Sequence, residues 1–421
     1  MEQITLKTKI GSFKGLSNEK SYSFLGIKYA DSKRFERATL KTDYSENEIY
    51  DATKYGPCCP QMRTYIPEDP NSMYYREFRE NLEFTYSEDC LSLNIFMPKD
   101  KKDEIEINCS SKKYPVLIYI HGGSFTRGSS AERPFDGSNL SSRGIIVVTI
   151  NYRLNIFGTY MGKNLMLYDM KTAIEWVYKN ISEFGGDNQN ITLSAQSAGA
   201  MSCQQLIFDA DVKKYVRRAI MLSGGAMLKG IFAPKSKFWA KSFYKSVEKD
   251  LRKRGLDALQ STSQQLFESF HQVCKKRPIN AAILSVFPTF DGEIVKKSNI
   301  KNAFKNAQMD CFFSVTKDDL QPRFYLEKSA KKYSKKSKKI GNKVYLNYFN
   351  RGLPPEGKAF HSSDLWYFFG NLMMHTWRKF EERDYEISNE IMTRVVSFCN
   401  DGNINPEEFF KMKPYEFYEL K

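Results

Sequence analysis

The chain has 421 residues, of which 41% are hydrophobic and 14% aromatic, which is enough apolar material for a large core and excludes a disordered chain. Its formal net charge is +15, but no zinc-finger spacing or recognition-helix signature accompanies that charge, so no nucleic-acid partner is expected. No apolar run reaches the length of a membrane span, and the opening MEQITLKTKIGSFKG lacks the apolar core of a secretory leader, so the expected location is cytoplasmic.

From the start of the chain, ITLKTKIGSFKGL alternates in the strand manner and is broken by Gly11 and Gly15, which predicts a β-hairpin. Residues 60 to 86 are polar and irregular and are expected to form a surface excursion. CLSLNIFMP (Cys90 to Pro98) and YPVLIYI (Tyr114 to Ile120) read as strands. GIIVVTINY (Gly144 to Tyr152) is a β-branched run of the kind buried on both faces of a sheet. LYDMKTAIEWVYKNI places Ala173, Ile174, Val177 and Ile181 at helical spacing. NITLSA (Asn190 to Ala195) then reads as a short strand, GAMSCQQLIF as a helix, and VRRAIMLSG as a further buried strand. Residues 236 to 285 predict polar-rich helices over one edge. CFFSVT (Cys311 to Thr316) and KVYLNYF (Lys343 to Phe349) predict late strands, and the stretch from DLWYFFG to about Cys399 is largely helical. The lysine-rich stretch from Lys328 to Lys343 reads as a helix with a solvated outer face around Ala330, Tyr333 and Ile340. Strands alternating with helices predict an α/β protein with a mostly parallel central sheet flanked by helices, and no linker divides residues 1–421, so a single domain is expected.

The eight cysteines show no repeated CxxC spacing, so no metal site is expected, and any histidine chemistry must choose among His121, His271, His361 and His375. The sharpest local motif is Ala195-Gln196-Ser197-Ala198-Gly199 between a strand and a helix. A strained turn there lifts a serine hydroxyl clear of the sheet at a helix N-terminus, and small residues at its second neighbours let the strand and helix backbones pass closely. The bland alternative is a helix-capping serine. Upstream, His121-Gly122-Gly123-Ser124-Phe125 follows an apolar strand directly. Acyl transfer builds negative charge on a carbonyl oxygen, and fixed backbone N–H groups stabilise it without reorganising. The candidate oxyanion hole is therefore Gly122, Gly123, Ser124 and Ala198, with the amides of Gly123, Ser124 and Ala198 as donors.

These stretches, with RFERA, YGPCCPQ, SEDCLSLNIF, VTINYRLNIFG, AIEWVYKNISEFGGDNQNIT and GKAFHSSDLWYFFG in the same order, resemble the type-B carboxylesterases, which share the cholinesterase-like α/β-hydrolase fold. The resemblance implies that His361 is the general base for Ser197. It places the triad acid at Asp319 of SVTKDDL, with Asp318 as competitor. It also implies a structural salt bridge between Arg34 and Glu88. Cys59 and Cys90 stand where secreted members have a disulfide, and in a cytoplasmic protein two adjacent thiols are expected instead. The sequence departs from the family pattern in Ala195, in Met166 and Met170 beneath the nucleophile, and in a short interval from Asp319 to His361. A shortened rim over the active site follows. The implied function is hydrolysis of small-molecule carboxylic esters with no metal or organic cofactor. The alternative is a degenerate relative that binds a partner or ligand with weak or no catalysis.

Overall fold

The computed structural model describes all residues except 100–112, 226–232, 278–284, 300–308, 321–322, 405–417 and 421. A twelve-stranded sheet runs through the molecule. Its strands are β1 (Glu2–Thr8), β2 (Gly11–Ser17), β3 (Ser21–Lys28), β4 (Ser92–Pro98), β5 (Tyr114–Ile120), β6 (Ile146–Ile150), β7 (Gly186–Gln196), β8 (Arg218–Leu222), β9 (Asp310–Thr316), β10 (Val344–Phe349) and β11 (Tyr418–Leu420), with the short strand Ile49–Asp51 beside β2. The spatial order is β1-β2-β3-β4-β6-β5-β7-β8-β9-β10-β11. Pairing is antiparallel from β1 through β4 to β6 and parallel from β6 onwards. The α/β-hydrolase fold expected from the sequence is the fold observed.

The β-branched strands are buried on both faces, and alternate residues divide between two cores. Ile118, Ile120, Val148, Leu193 and Met221 face one core, while Leu117, Tyr119, Val147, Ile220 and Leu222 face the other. Helices α2 (Leu165–Asn180), α3 (Ala198–Leu206) and α6 (Arg323–Lys338) cover the first face, with Ala173, Ile174 and Val177 of α2 pointing inwards. Helices α7 (Leu365–Phe369) and α8 (Glu382–Asp401) cover the second through Trp366, Ile387, Ile391 and Val395. Each such aliphatic side chain removed from water contributes about 1.5–3 kcal/mol before chain entropy is counted. The lysine-rich stretch forms α6 only as far as Lys338, with Ala330 and Tyr333 in the core as expected, and Ile340 lies half-buried in the turn that follows. Helices α4 (Lys237–Lys253) and α5 (Ser263–Lys275) pack on each other, and α4 packs on the turn Tyr160–Gly162, where the Tyr244 and Thr159 hydroxyls meet. Among the described residues no helix is long and apolar enough to cross a membrane.

Residues 60 to 86 are mostly exposed or half-buried, as expected of a surface excursion, but one part of the segment turns inward. That part is helix α1 (Met73–Phe78), whose last turn buries Glu77 and Phe78, with Arg79 buried behind it. Glu77 is buried because three partners from the far end of the chain satisfy it: Trp366 Nε1 (3.2 Å), His375 Nε2 (3.0 Å) and Arg378, whose Nε and Nη2 both donate to Oε1 (2.9 and 2.6 Å). Polar side chains with partners so distant in sequence leave no local period to read.

Two charged pairs hold the scaffold beneath the site. Arg34 grips Glu88 through two hydrogen bonds, as the resemblance implies. Arg153 and Asp169 are both buried. Arg153 donates from Nε and Nη2 to the carboxylate (2.8 and 2.6 Å) and from Nη1 to the carbonyl of Glu36 (2.7 Å). Arg153→Ala strands the Asp169 charge in the core, with an expected loss of about 3–5 kcal/mol, measurable as a fall in the urea midpoint. A midpoint unchanged by the substitution would refute this role.

Candidate active site

Strand order reverses around β5, because β6 lies on one side of it and β7 on the other. The crevice outside the carboxyl ends of such strands is where open α/β sheets bind ligands. β5 delivers His121 and the glycine loop to that crevice, and β7 delivers Ser197. Ser197 has φ 53° and ψ −121°, a strained conformation at the junction of β7 and α3. The close approach that Gly199 was expected to permit is visible: a Cβ there would lie 2.4 Å from the Ile120 carbonyl oxygen.

The Ser197 hydroxyl lies 2.9 Å from His361 Nε2, and His361 Nδ1 lies 2.5 Å from Asp319 Oδ1. Asp319 is buried at the end of β9. Its other oxygen accepts from the Ser223 hydroxyl (2.6 Å) and its Oδ1 from the Leu320 amide (2.7 Å). Burial alone would raise its pKa, but the facing imidazole and these donors outweigh burial and hold it down at about 2. Asp318 is turned away: its amide donates to the Ala359 carbonyl (2.8 Å) and its carboxylate accepts from the Ala359 amide (2.9 Å). It therefore ties the acid loop to the strand-like segment that carries His361.

Gly122 lies against the nucleophile turn, where a Cβ would meet Gln196 Oε1 at 2.4 Å and Ser197 Cβ at 3.0 Å. Gly123, Ser124 and Phe125 follow with φ of 103°, 55° and 61°. Among the described residues nothing accepts from the amides of Gly122, Gly123 or Ser124, and Ala198 opens α3, so its amide is one of the helix's unpaired first-turn donors. Gly122, Gly123, Ser124, Ser197 and His361 all line one cleft of about 300 Å³, with α1 forming the opposite wall through Met73, Tyr74 and Phe78. The sequence reading missed that wall. It also missed Gln196, whose amide nitrogen stands 3.1 Å from His361 Nε2 and 2.7 Å from the Ser362 hydroxyl.

His121 is buried, and burial pushes its pKa down to about 4, so the ring is neutral. It stacks on Tyr152 and contacts the Gly122 carbonyl through Nδ1 (2.8 Å). His375 is spent on Glu77, and His271 stacks on Phe267 within α5. Cys59 and Cys90 are buried thiols, and Met166 and Met170 are fully buried on α2. The 42 positions separating Asp319 from His361 carry α6 and β10. Among the described residues no group of three or more His, Cys, Asp or Glu side chains is placed to hold a metal ion.

Close to Asp319 and His361 lies a second buried acid, Asp364. One of its oxygens has no partner among the described residues, and the other accepts a long bond from Ser314 (3.4 Å). Burial, reinforced by the charge on Asp319, raises its pKa to about 7. The folded pKa lies above the unfolded one, so the stability linked to the protonated form is complete below about 3.8 and is lost as pH rises through 7. The melting temperature of Asp364→Asn relative to wild type should therefore be more favourable at pH 8 than at pH 5. A difference independent of pH in scanning calorimetry would contradict a buried titrating carboxyl.

Residues 2–343 and 324–420 match the family model described as the carboxylesterase family. The para-nitrobenzyl esterase of Bacillus subtilis (strain 168) is 36% identical over 230 residues, 52% of this chain and 43% of that protein. An acetylcholinesterase of Danio rerio is 32% identical over 215 residues, 48% of this chain and 32% of that protein. The neuroligin-like protein glit-1 of Caenorhabditis elegans is 37% identical over 190 residues, 43% and 24% of the two chains. The matched stretches thus span less than half the length of these curated relatives. The solved structure of a thermophilic PNB esterase superposes with a TM-score of 0.77 at 25% identity, covering 96% of this chain and 92% of that one.

Proposed function

The chain belongs to the carboxylesterase family, and on that footing we propose that it hydrolyses small-molecule carboxylic esters through an acyl-enzyme on Ser197. Ser197 Oγ attacks the ester carbonyl carbon while its proton passes to His361 Nε2. The carbonyl oxygen takes the negative charge and is held by the free amides of the glycine loop and Ala198. Collapse breaks the bond to the alcohol oxygen, which takes the proton from His361. Water then repeats the sequence on the acyl-enzyme and releases the acid. Asp319 orients the ring and stabilises its cation. We place the protein in the cytoplasm, where Cys59 and Cys90 remain thiols.

The observation that carries this reading is the unbroken hydrogen-bonded relay from Ser197 through His361 to Asp319, opening on the same cleft as unspent backbone amides. Purified protein should release nitrophenol from short nitrophenyl esters and should be labelled at Ser197 by a fluorophosphonate. A folded protein that does neither, from acetate to octanoate, would overturn the reading.

One observation favours a binding-only protein. The Gln196 amide nitrogen competes with the Ser197 hydroxyl for the same imidazole nitrogen. If that contact occupied the base permanently, Ser197 would stay unactivated and the probe would not react.

A further inference from the structure

The loop that supplies the candidate oxyanion amides also carries Arg127 into the cleft. Its amide donates to the Gly123 carbonyl (3.1 Å), and its stem passes beside Gly123, so the side chain starts next to the reacting centre. Arg127 is the one permanent cation among the described residues that line the cleft. The neighbouring arginines are neutralised: Arg63 pairs with Glu132 (2.9 Å), Arg79 with Glu68 (3.0 Å), and Arg378 with Glu77 (2.6 Å). Those pairs also consume Glu77 and Glu132, the two carboxylates among the described residues that line the cleft. Arg127 has no carboxylate partner among the described residues, and none of its side-chain N–H groups donates to an acceptor there. The guanidinium instead lies over the Tyr74 ring, 4.2 Å from its centroid, while the Tyr74 hydroxyl is anchored on Glu132 (2.8 Å). A planar donor fork held by stacking and left without an acid is suited to a planar carboxylate.

Resting on the ester-hydrolase reading, we propose that Arg127 sets substrate class by binding a carboxylate on the substrate, which makes anionic esters, such as the half-esters of dicarboxylic acids, the preferred substrates. The apolar wall of Met73 and Phe78 accommodates the intervening methylenes, and the chain's net charge of +15 favours the approach of an anion.

The test compares mono-4-nitrophenyl adipate with 4-nitrophenyl hexanoate, two acyl chains of equal length that differ in a terminal carboxylate. In wild type the adipate should have the higher kcat/KM. In Arg127→Gln the ratio of adipate to hexanoate kcat/KM should fall by about tenfold to a hundredfold, mainly through KM, because the bond is made equally in the bound and transition states. Arg127→Lys should restore part of the ratio, since it returns the charge without the fork. A ratio unchanged in Arg127→Gln, with hexanoate still hydrolysed, overturns this proposal alone. Failure of wild type on both esters overturns the hydrolase reading and this proposal with it.

Discussion

Ser197→Ala is expected to lower kcat/KM for nitrophenyl esters by about 10⁴-fold or more, with the folded structure retained. In the proposed mechanism the hydroxyl forms the acyl bond, and in the structure it is hydrogen-bonded to His361. The backbone that shapes the turn stays: the Ser197 amide donates to the Leu222 carbonyl (2.9 Å), and the Ser197 carbonyl accepts from Met201 (3.0 Å). Alanine at φ 53° carries the same steric strain as serine, so the turn has no new reason to relax. The residual rate would reflect binding and oxyanion stabilisation without a nucleophile. Circular dichroism and thermal melting, run beside the ester assay, separate loss of chemistry from loss of fold. A folded variant that keeps a tenth of the wild-type rate would remove Ser197 from the mechanism.

Asp319→Asn should cost nearly as much, about 10⁴-fold in kcat, although the change replaces one oxygen by a nitrogen. Asp319 accepts from Nδ1 of His361, which leaves Nε2 free to accept the Ser197 proton. An asparagine amide facing Nδ1 donates instead, and the ring then carries its proton on Nε2, the wrong side for a base. Asp318→Asn is the control, because its carboxylate accepts from the Ala359 amide and an amide oxygen can do the same. The kcat of the two variants on one neutral ester decides the matter. Equal losses would mean that the loop, and not the carboxylate on the ring, had been disturbed.

Much of the fold was legible because its core strands are unusually plain. Tyr114–Ile120 is a strand at the bounds expected from the sequence, since an apolar run of that length between breakers has one comfortable home in a doubly covered sheet. β7 was read short: its first half, GDNQN, is polar, and its pairing with β5 is irregular between Gly186 and Ile191. Ser197, Gly122 and Gly123 stood out because the chemistry proposed for them demands a fixed local pattern. The acid was ambiguous for a reason of register. Neighbouring residues in an extended segment point to opposite sides, and the bridge between Asp318 and Phe360 turns Asp318 outward and Asp319 towards the ring. Nothing local in KDDL records that pairing. The wall built by α1 was illegible for a similar reason, since Glu77 is buried by partners about 290 to 300 positions away.

That separation has a consequence for the order in which the protein is made. Ser197 and the glycine loop leave the ribosome well before the groups that neutralise Glu77, which lie at Trp366, His375 and Arg378. Until those emerge, Glu77 has no buried charge partner and α1 cannot close the cleft. His361 itself arrives only shortly before them. Synthesis therefore delivers the Ser197 hydroxyl first, and His361 and the partners that close the cleft wall almost together, 164 or more positions later. A chain interrupted midway carries a serine with neither a proton acceptor nor a place for a substrate to sit.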